Sequence, residues 1–80
     1  MKRILEKLVD WDEGRAFMNR IADELGATVM EIDADLAIEH DSMKVTCHMN
    51  PREYASIMVK LYDESYENQV KSILDKFEKK

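Results

Sequence analysis

Eighty residues, 45% of them apolar and 36% charged, suit one small folded domain spanning residues 1–80 and argue against a disordered chain. A net charge of −5 with only 12 Lys and Arg argues against a general nucleic-acid binder, which needs clustered bases to neutralise phosphate. One cysteine rules out an internal disulfide, no apolar run approaches the roughly 18 residues of a membrane span, and the first residues lack a signal-peptide pattern, so a reducing cytoplasm is the expected setting.

In chain order, Ile4, Leu5 and Leu8 fall on one helical face, which predicts a short opening helix over residues 2–9. Asp10 and Glu13 have the spacing of a capping box, in which each side chain bonds a backbone N–H left unpaired by the first helical turn. A second helix from Trp11 to Leu25 is expected to bury Phe17, Ile21 and Leu25, with Met18 and Ala22 beside them, and to stop at Gly26.

From Thr28 to Asp41 the pattern changes to a period of two. Met30, Ile32, Ala34, Leu36 and Ile38 hold the even positions, and Glu31, Asp33, Asp35, Glu39 and Asp41 hold odd ones. Strand side chains point to opposite faces by turns, so this pattern predicts an apolar face and a row of carboxylates. In Met43–Met49 the apolar residues are Met43, Val45, Cys47 and Met49. A two-residue turn at Asp41-Ser42 then sets Ile38 against Val45 and Leu36 against Cys47 on the apolar face. On the other face Glu39 meets Lys44 and Asp35 meets His48, and a slip of one residue would drive charge into the core. A bend at Asp33-Ala34-Asp35 divides the region into three strands, which is favoured because the unbroken run exceeds the usual strand length.

Asn50-Pro51-Arg52-Glu53 carries an N-cap, Pro at the first helical position and Glu at the third, and predicts a helix. Its stripe would be Tyr54, Ile57, Met58 and Leu61, and Val70, Ile73, Leu74 and Phe77 form a second stripe. One helix from 51 to 78 would run about 40 Å at 1.5 Å per residue, too long for a domain of this size, so it either breaks near Asp63–Ser65 or pairs with another copy. The expected fold is α+β: a small antiparallel sheet of two or three strands, with the hairpin at about 28–49, packed against N-terminal helices and a C-terminal helical pair.

Between Arg20 and Lys44 there are seven acids (Asp23, Glu24, Glu31, Asp33, Asp35, Glu39 and Asp41) and no Lys or Arg. Carboxylates on one strand face stand about 6.6 to 6.8 Å apart, comparable to neighbouring phosphates, so the row could occupy the basic groove of a nucleic-acid enzyme. The plainer account is a solvated face that keeps the protein soluble. Asp33 and Asp35 with Glu31 or Glu39 would suit Mg²⁺ or Ca²⁺ only if a tight bend at Ala34 converged them. Cys47 and His48 point to opposite strand faces, which suits a core thiol and a partner for Asp35 better than a metal site or a nucleophile and its base. Of the six methionines, four fall on expected core faces as gap-fillers. Trp11, Tyr54, Tyr62 and Tyr66 are candidate contact aromatics, with Tyr62 and Tyr66 one turn apart if helical.

These features predict a non-catalytic interaction protein without cofactor or metal. It would bind and inhibit a larger, basic, nucleic-acid-processing protein through Glu31, Asp33, Asp35, Glu39 and Asp41, with Tyr62 and Tyr66 as apolar anchors. In size and charge the chain is similar to the accessory inhibitors of phages and mobile elements, anti-CRISPR and anti-restriction proteins among them, with no shared motif. The alternatives are a homo-oligomeric structural or regulatory subunit, for example a homodimer, and a small divalent-metal-binding protein.

Overall fold

The structure, a computed structural model, describes residues 3–33, 35–49 and 54–77. Its elements are β1 (Arg3–Asp10), α1 (Trp11–Leu25), β2 (Met30–Ile32), β3 (Asp35–Glu39), β4 (Met43–Met49) and β5 (Tyr54–Leu61), followed by a single 3₁₀ turn (Glu64–Tyr66) and α2 (Glu67–Leu74). The five strands form one antiparallel sheet in the order β1-β5-β4-β3-β2. Strands β2 to β5 are a meander, and β1 returns to pair with the last of them. After β1, α1 carries the chain from one edge of the sheet to the other.

The expected helix cap is present: the side chains of Asp10 and Glu13 each accept from the other's backbone N–H. Gly26 closes α1 in the left-handed region at φ 65°, and its N–H donates to the carbonyls of Ala22 and Asp23. One face of α1 buries Phe17, Met18, Ile21 and Ala22 against Leu36, Ile38, Val45, Cys47, Ala55, Ile57, Val59 and Leu61 of the sheet. Val70, Ile73 and Leu74 of α2 complete the same core, and Phe77 meets Phe17 edge to face at 5.9 Å. Both helices therefore cover one side of the sheet. Lys7, which faces that side, donates from Nζ to the carbonyl oxygen of Leu74 at 2.9 Å, a carbonyl that also accepts from the N–H of Phe77 at 3.1 Å, and so places a cation at the end of α2, where the helix dipole favours one.

Three expectations of the fold are corrected. Residues 2–9 do not start the chain as a helix, since Arg3–Asp10 is a strand. Ile4, Leu5 and Leu8 satisfied a helical spacing over one turn only, whereas Leu5 and Val9 turn to the core and Ile4 and Leu8 to the other face. The sheet has five strands rather than two or three. The C-terminal helical pair is a strand, β5, and one short helix. In β5 the residues Ala55, Ile57, Val59 and Leu61 are all fully buried at every second position, and the β-branched residues at 57 and 59 suit a strand interior. The cap signal at 50–53 lies outside the described residues.

The β3–β4 pairing follows the predicted register at every position, from Asp35 opposite His48 to Glu39 opposite Lys44. Its turn lacks the positive-φ residues of the tightest hairpins, since Asp33 and Gly26 alone adopt positive φ among the described residues. Hydrogen bonds hold it instead. The N–H of Ser42 donates to His40 Nδ1 at 3.1 Å, and the Ser42 carbonyl accepts from the N–H groups of Tyr62 and Asp63 at 2.8 and 3.1 Å.

Gly14 is the closest approach of helix to sheet. A Cβ there would stand 2.4 Å from Ala55 Cβ and 3.0 Å from Cys47 Sγ. Gly14→Ala is expected to lower stability by about 1–3 kcal/mol through overpacking, although alanine favours a helix by about 1 kcal/mol over glycine. Urea denaturation checks it, and a stabilised variant would contradict this packing.

Candidate interaction face

The side of the sheet away from the helices is bare among the described residues. Cross-strand partners share a face, so the pairings place its residues in three rows. The first is Leu8, Ser56, His48, Asp35 and Ile32; the second Glu6, Met58, Thr46, Ala37 and Met30; the third Ile4, Lys60, Lys44 and Glu39. Tyr54 lies beyond the first row, opposite Asp10. Ile4, Leu8, Met30, Ile32, Tyr54 and Met58 are all exposed, with Ile32 at 58% the most so.

The five acids do not share this face. Asp33 adopts φ 56°, a left-handed conformation that Asp tolerates better than most residues, and the tight link from Ile32 to Asp35 shifts the alternation by one. Met30 and Ile32 consequently join Ala37 and Asp35 on the bare face, while Glu31 lies opposite Leu36 on the helix side. There Glu31 is 3.8 Å from Arg15, whose guanidinium also sits 5.5 Å from the centroid of Trp11. Asp35 and Glu39 remain on the bare face, but His48 Nδ1 bonds Asp35 Oδ1 at 2.7 Å and Lys44 stands 3.8 Å from Glu39. Asp33 and Asp41 occupy the turns at the two ends of β3. The expected continuous row is thus a negative margin around β2 and β3, in which Arg15 stands by Glu31 and Lys44 by Glu39.

Tyr62 and Tyr66 do not lie on one helix. Tyr62 follows β5 and is exposed, whereas Tyr66 ends the 3₁₀ turn and packs on the core. Asp63 begins that turn, and hydrogen bonds from the Ser65 hydroxyl and N–H hold its carboxyl below the usual range. No protein-family model, curated protein or solved structure matches this chain.

Among the described residues, no three His, Cys, Asp or Glu side chains converge as a metal would require, and no helix is long and apolar enough to cross a membrane. Cys47 lies under α1, with its Sγ 3.3 Å from Met49 Sδ. Burial pushes its thiol up to about 11, with the charge of Asp35 adding to the rise and Arg15 opposing it. Such a thiol is neither nucleophile nor soft-metal ligand at neutral pH. Sequence reasoning missed the apolar members of the bare face; the parity shift across a two-residue hairpin loop, applied to Asp33-Ala34 as it was to Asp41-Ser42, would have exposed Met30 and Ile32.

The raised thiol has a signed consequence. Its folded value lies above its ordinary one, so its contribution is present below pH 9.0 and is lost as pH rises toward about 11. Native protein is expected to resist a thiol reagent at neutral pH and to react once unfolded in urea. Chemical denaturation at increasing pH should show an alkaline loss of stability that Cys47→Ala flattens; rapid labelling of the native state would contradict this burial.

Proposed function

We propose that this chain is a non-catalytic protein-binding module whose bare sheet face is the contact surface. One observation carries the reading: six exposed apolar side chains, Ile4, Leu8, Met30, Ile32, Tyr54 and Met58, share a face that no element covers among the described residues. Ile4 and Leu8 lie at the β1 edge, Met30 and Ile32 at the β2 edge and Met58 between them, interspersed with polar groups, a mixture comparable to the surfaces of non-obligate interfaces, and Met and Tyr supply adaptable and well-anchored contacts respectively. The charged residues interspersed there, Glu6, Asp35, Glu39, Lys44 and Lys60, would orient a partner more than hold it. The single buried thiol is compatible with work in a reducing cytoplasm.

A second reading keeps the acids. Asp33 and Asp41 are exposed at opposite ends of β3, and with Glu31, Asp35 and Glu39 they make the β2–β3 margin negative. That margin favours a larger basic partner, a nucleic-acid-processing protein, which the module would block by competing for a positively charged groove.

Affinity capture from nuclease-treated lysate of cells that make the protein separates the two. Ile32→Asp with Met58→Asp charges the bare face, while Glu31→Gln, Asp33→Asn and Asp41→Asn neutralise the margin. All these positions are exposed, so each change is expected to alter stability by no more than about 0.5–1 kcal/mol. The face reading predicts that the first variant loses the protein bound by wild type and the second retains it. The reverse pattern selects the acidic margin, and identical capture by all three contradicts both.

A further inference from the structure

The geometry points to a second copy of this chain as an occupant of the bare face, docked about a twofold axis that runs parallel to the strands between β3 and β4. This inference rests on the reading of that face as a contact surface and names the partner.

The charge layout selects the axis. Two sheets packed face to face about an in-plane twofold parallel to the strands keep their rows and exchange their columns. An axis on β4 would set Lys44 against Lys44 and His48 against His48 of the two copies, and an axis on β3 would oppose Asp35 and Glu39 to themselves. An axis between β4 and β5 would set Lys44 against Lys60. An axis perpendicular to the strands would bring Glu39 onto Asp35. An axis between β3 and β4 overlaps four strands and makes every pair agree: Lys44 meets Glu39, His48 meets Asp35, Thr46 meets Ala37, and Met58 meets Met30, in both directions. The existing pair Glu39–Lys44 then becomes an alternating-sign square across the axis, Asp35 and His48 keep a hydrogen-bonding partner in the second copy, and like charges nowhere face each other.

Shape supports the same alignment. A shallow depression of about 150 Å³ lies between Lys44, Thr46, Met58 and Lys60. This axis carries Met30 and Glu39 of the second copy over it, a thioether for Met58 and a carboxylate for two ammonium groups. The face is also nearly neutral, with Glu6, Asp35 and Glu39 offset by Lys44 and Lys60, on a chain whose net charge is −5. A self-complementary contact is therefore not opposed by the overall charge at short range. Four strands about 4.8 Å apart and three rows about 6.8 Å apart give about 400 Å² of flat overlap per copy, smaller than a standard stable interface, so the dimer is weak and reversible. Strand β1, with Ile4 and Leu8, lies outside the overlap.

Sedimentation equilibrium of the full chain from about 1 µM to 1 mM tests the pairing with two charge reversals. Glu39→Lys and Lys44→Glu each place like charges across the axis and are expected to weaken self-association at least about tenfold. Mixed in equal amounts, the two variants present opposite charges to each other and should regain association as a heterodimer. Adding Met30→Cys and Met58→Cys supplies a second readout: these positions are three strands apart within one chain, yet a short thiol-to-thiol crosslinker should join them between copies. Single variants that still dimerise, or a mixture that stays monomeric, would overturn the inference. If wild type is monomeric throughout and gives no crosslink while its capture of another protein still depends on Ile32 and Met58, self-pairing fails and the face reading stands; if that dependence is also absent, both fail.

Discussion

The pairing of β1 with β5 is the constraint on which the rest of the molecule depends. It joins the two ends of the chain over eight successive residue pairs, Arg3–Leu61 to Asp10–Tyr54, and turns a four-strand meander into a five-strand sheet. Because β1 lies at one edge and β2 at the other, the chain between them, α1 and the residues after it, links the two edges over one side of the sheet. The crossing is close because Gly14 allows it: α1 rests on Ala55 and Cys47 with no room for a methyl group. The same pairing positions Lys7 to reach the last carbonyl of α2, so the C-terminal helix is tied to the N-terminal strand. Contacts so distant in sequence form slowly relative to helical ones.

The second consequence is asymmetry. Both helices lie on one side, so the core is one layer thick and the other side of the sheet is left to the medium. In an antiparallel sheet with one solvated face the outward residues are usually polar. Here charges alternate with Ile4, Leu8, Met30, Ile32 and Met58, a composition that costs solubility unless something covers it. The tightly held turn at Asp41-Ser42 and the left-handed Asp33 fix the phase of β2, β3 and β4 relative to each other, and with it the position of every charge on that face. The Arg15–Glu31 pair and the Trp11 ring beside Arg15 lock the far edge of the sheet to the start of the helix.

Much of this was legible in the residues, and the rest was not for definable reasons. Helix α1, its capping box and its glycine stop follow from local signals that tertiary contacts do not oppose. The β3–β4 register was readable because only one alignment puts apolar on apolar and acid on base. Strand β1 was not, because eight residues with Ile4, Leu5 and Leu8 satisfy a helical turn as well as a half-buried strand, and its partner lies 50 residues away. In β5 two periods competed: Tyr54, Ile57, Met58 and Leu61 fit a helix, Ala55, Ile57, Val59 and Leu61 a strand, and pairing with β1 and β4 decided. The acidic row was misplaced by a single dihedral. Asp33 at φ 56° reverses the alternation, sends Glu31 to the helix side and brings Met30 and Ile32 out, and no local propensity forces an aspartate into that conformation.

The central claim is that the bare face is closed by a second copy of the chain, and side-chain accessibility at that face tests it most directly. Methyl NMR with a soluble paramagnetic probe would be recorded on dilute and on concentrated samples. The account predicts that Met30, Met58 and Ile32 are strongly broadened when dilute and protected on concentration, that Ile4 and Leu8 stay accessible, and that the buried Val45, Ile57 and Val59 are silent throughout. Unchanged accessibility across the face, or protection that maps instead to α1 and α2, would contradict it.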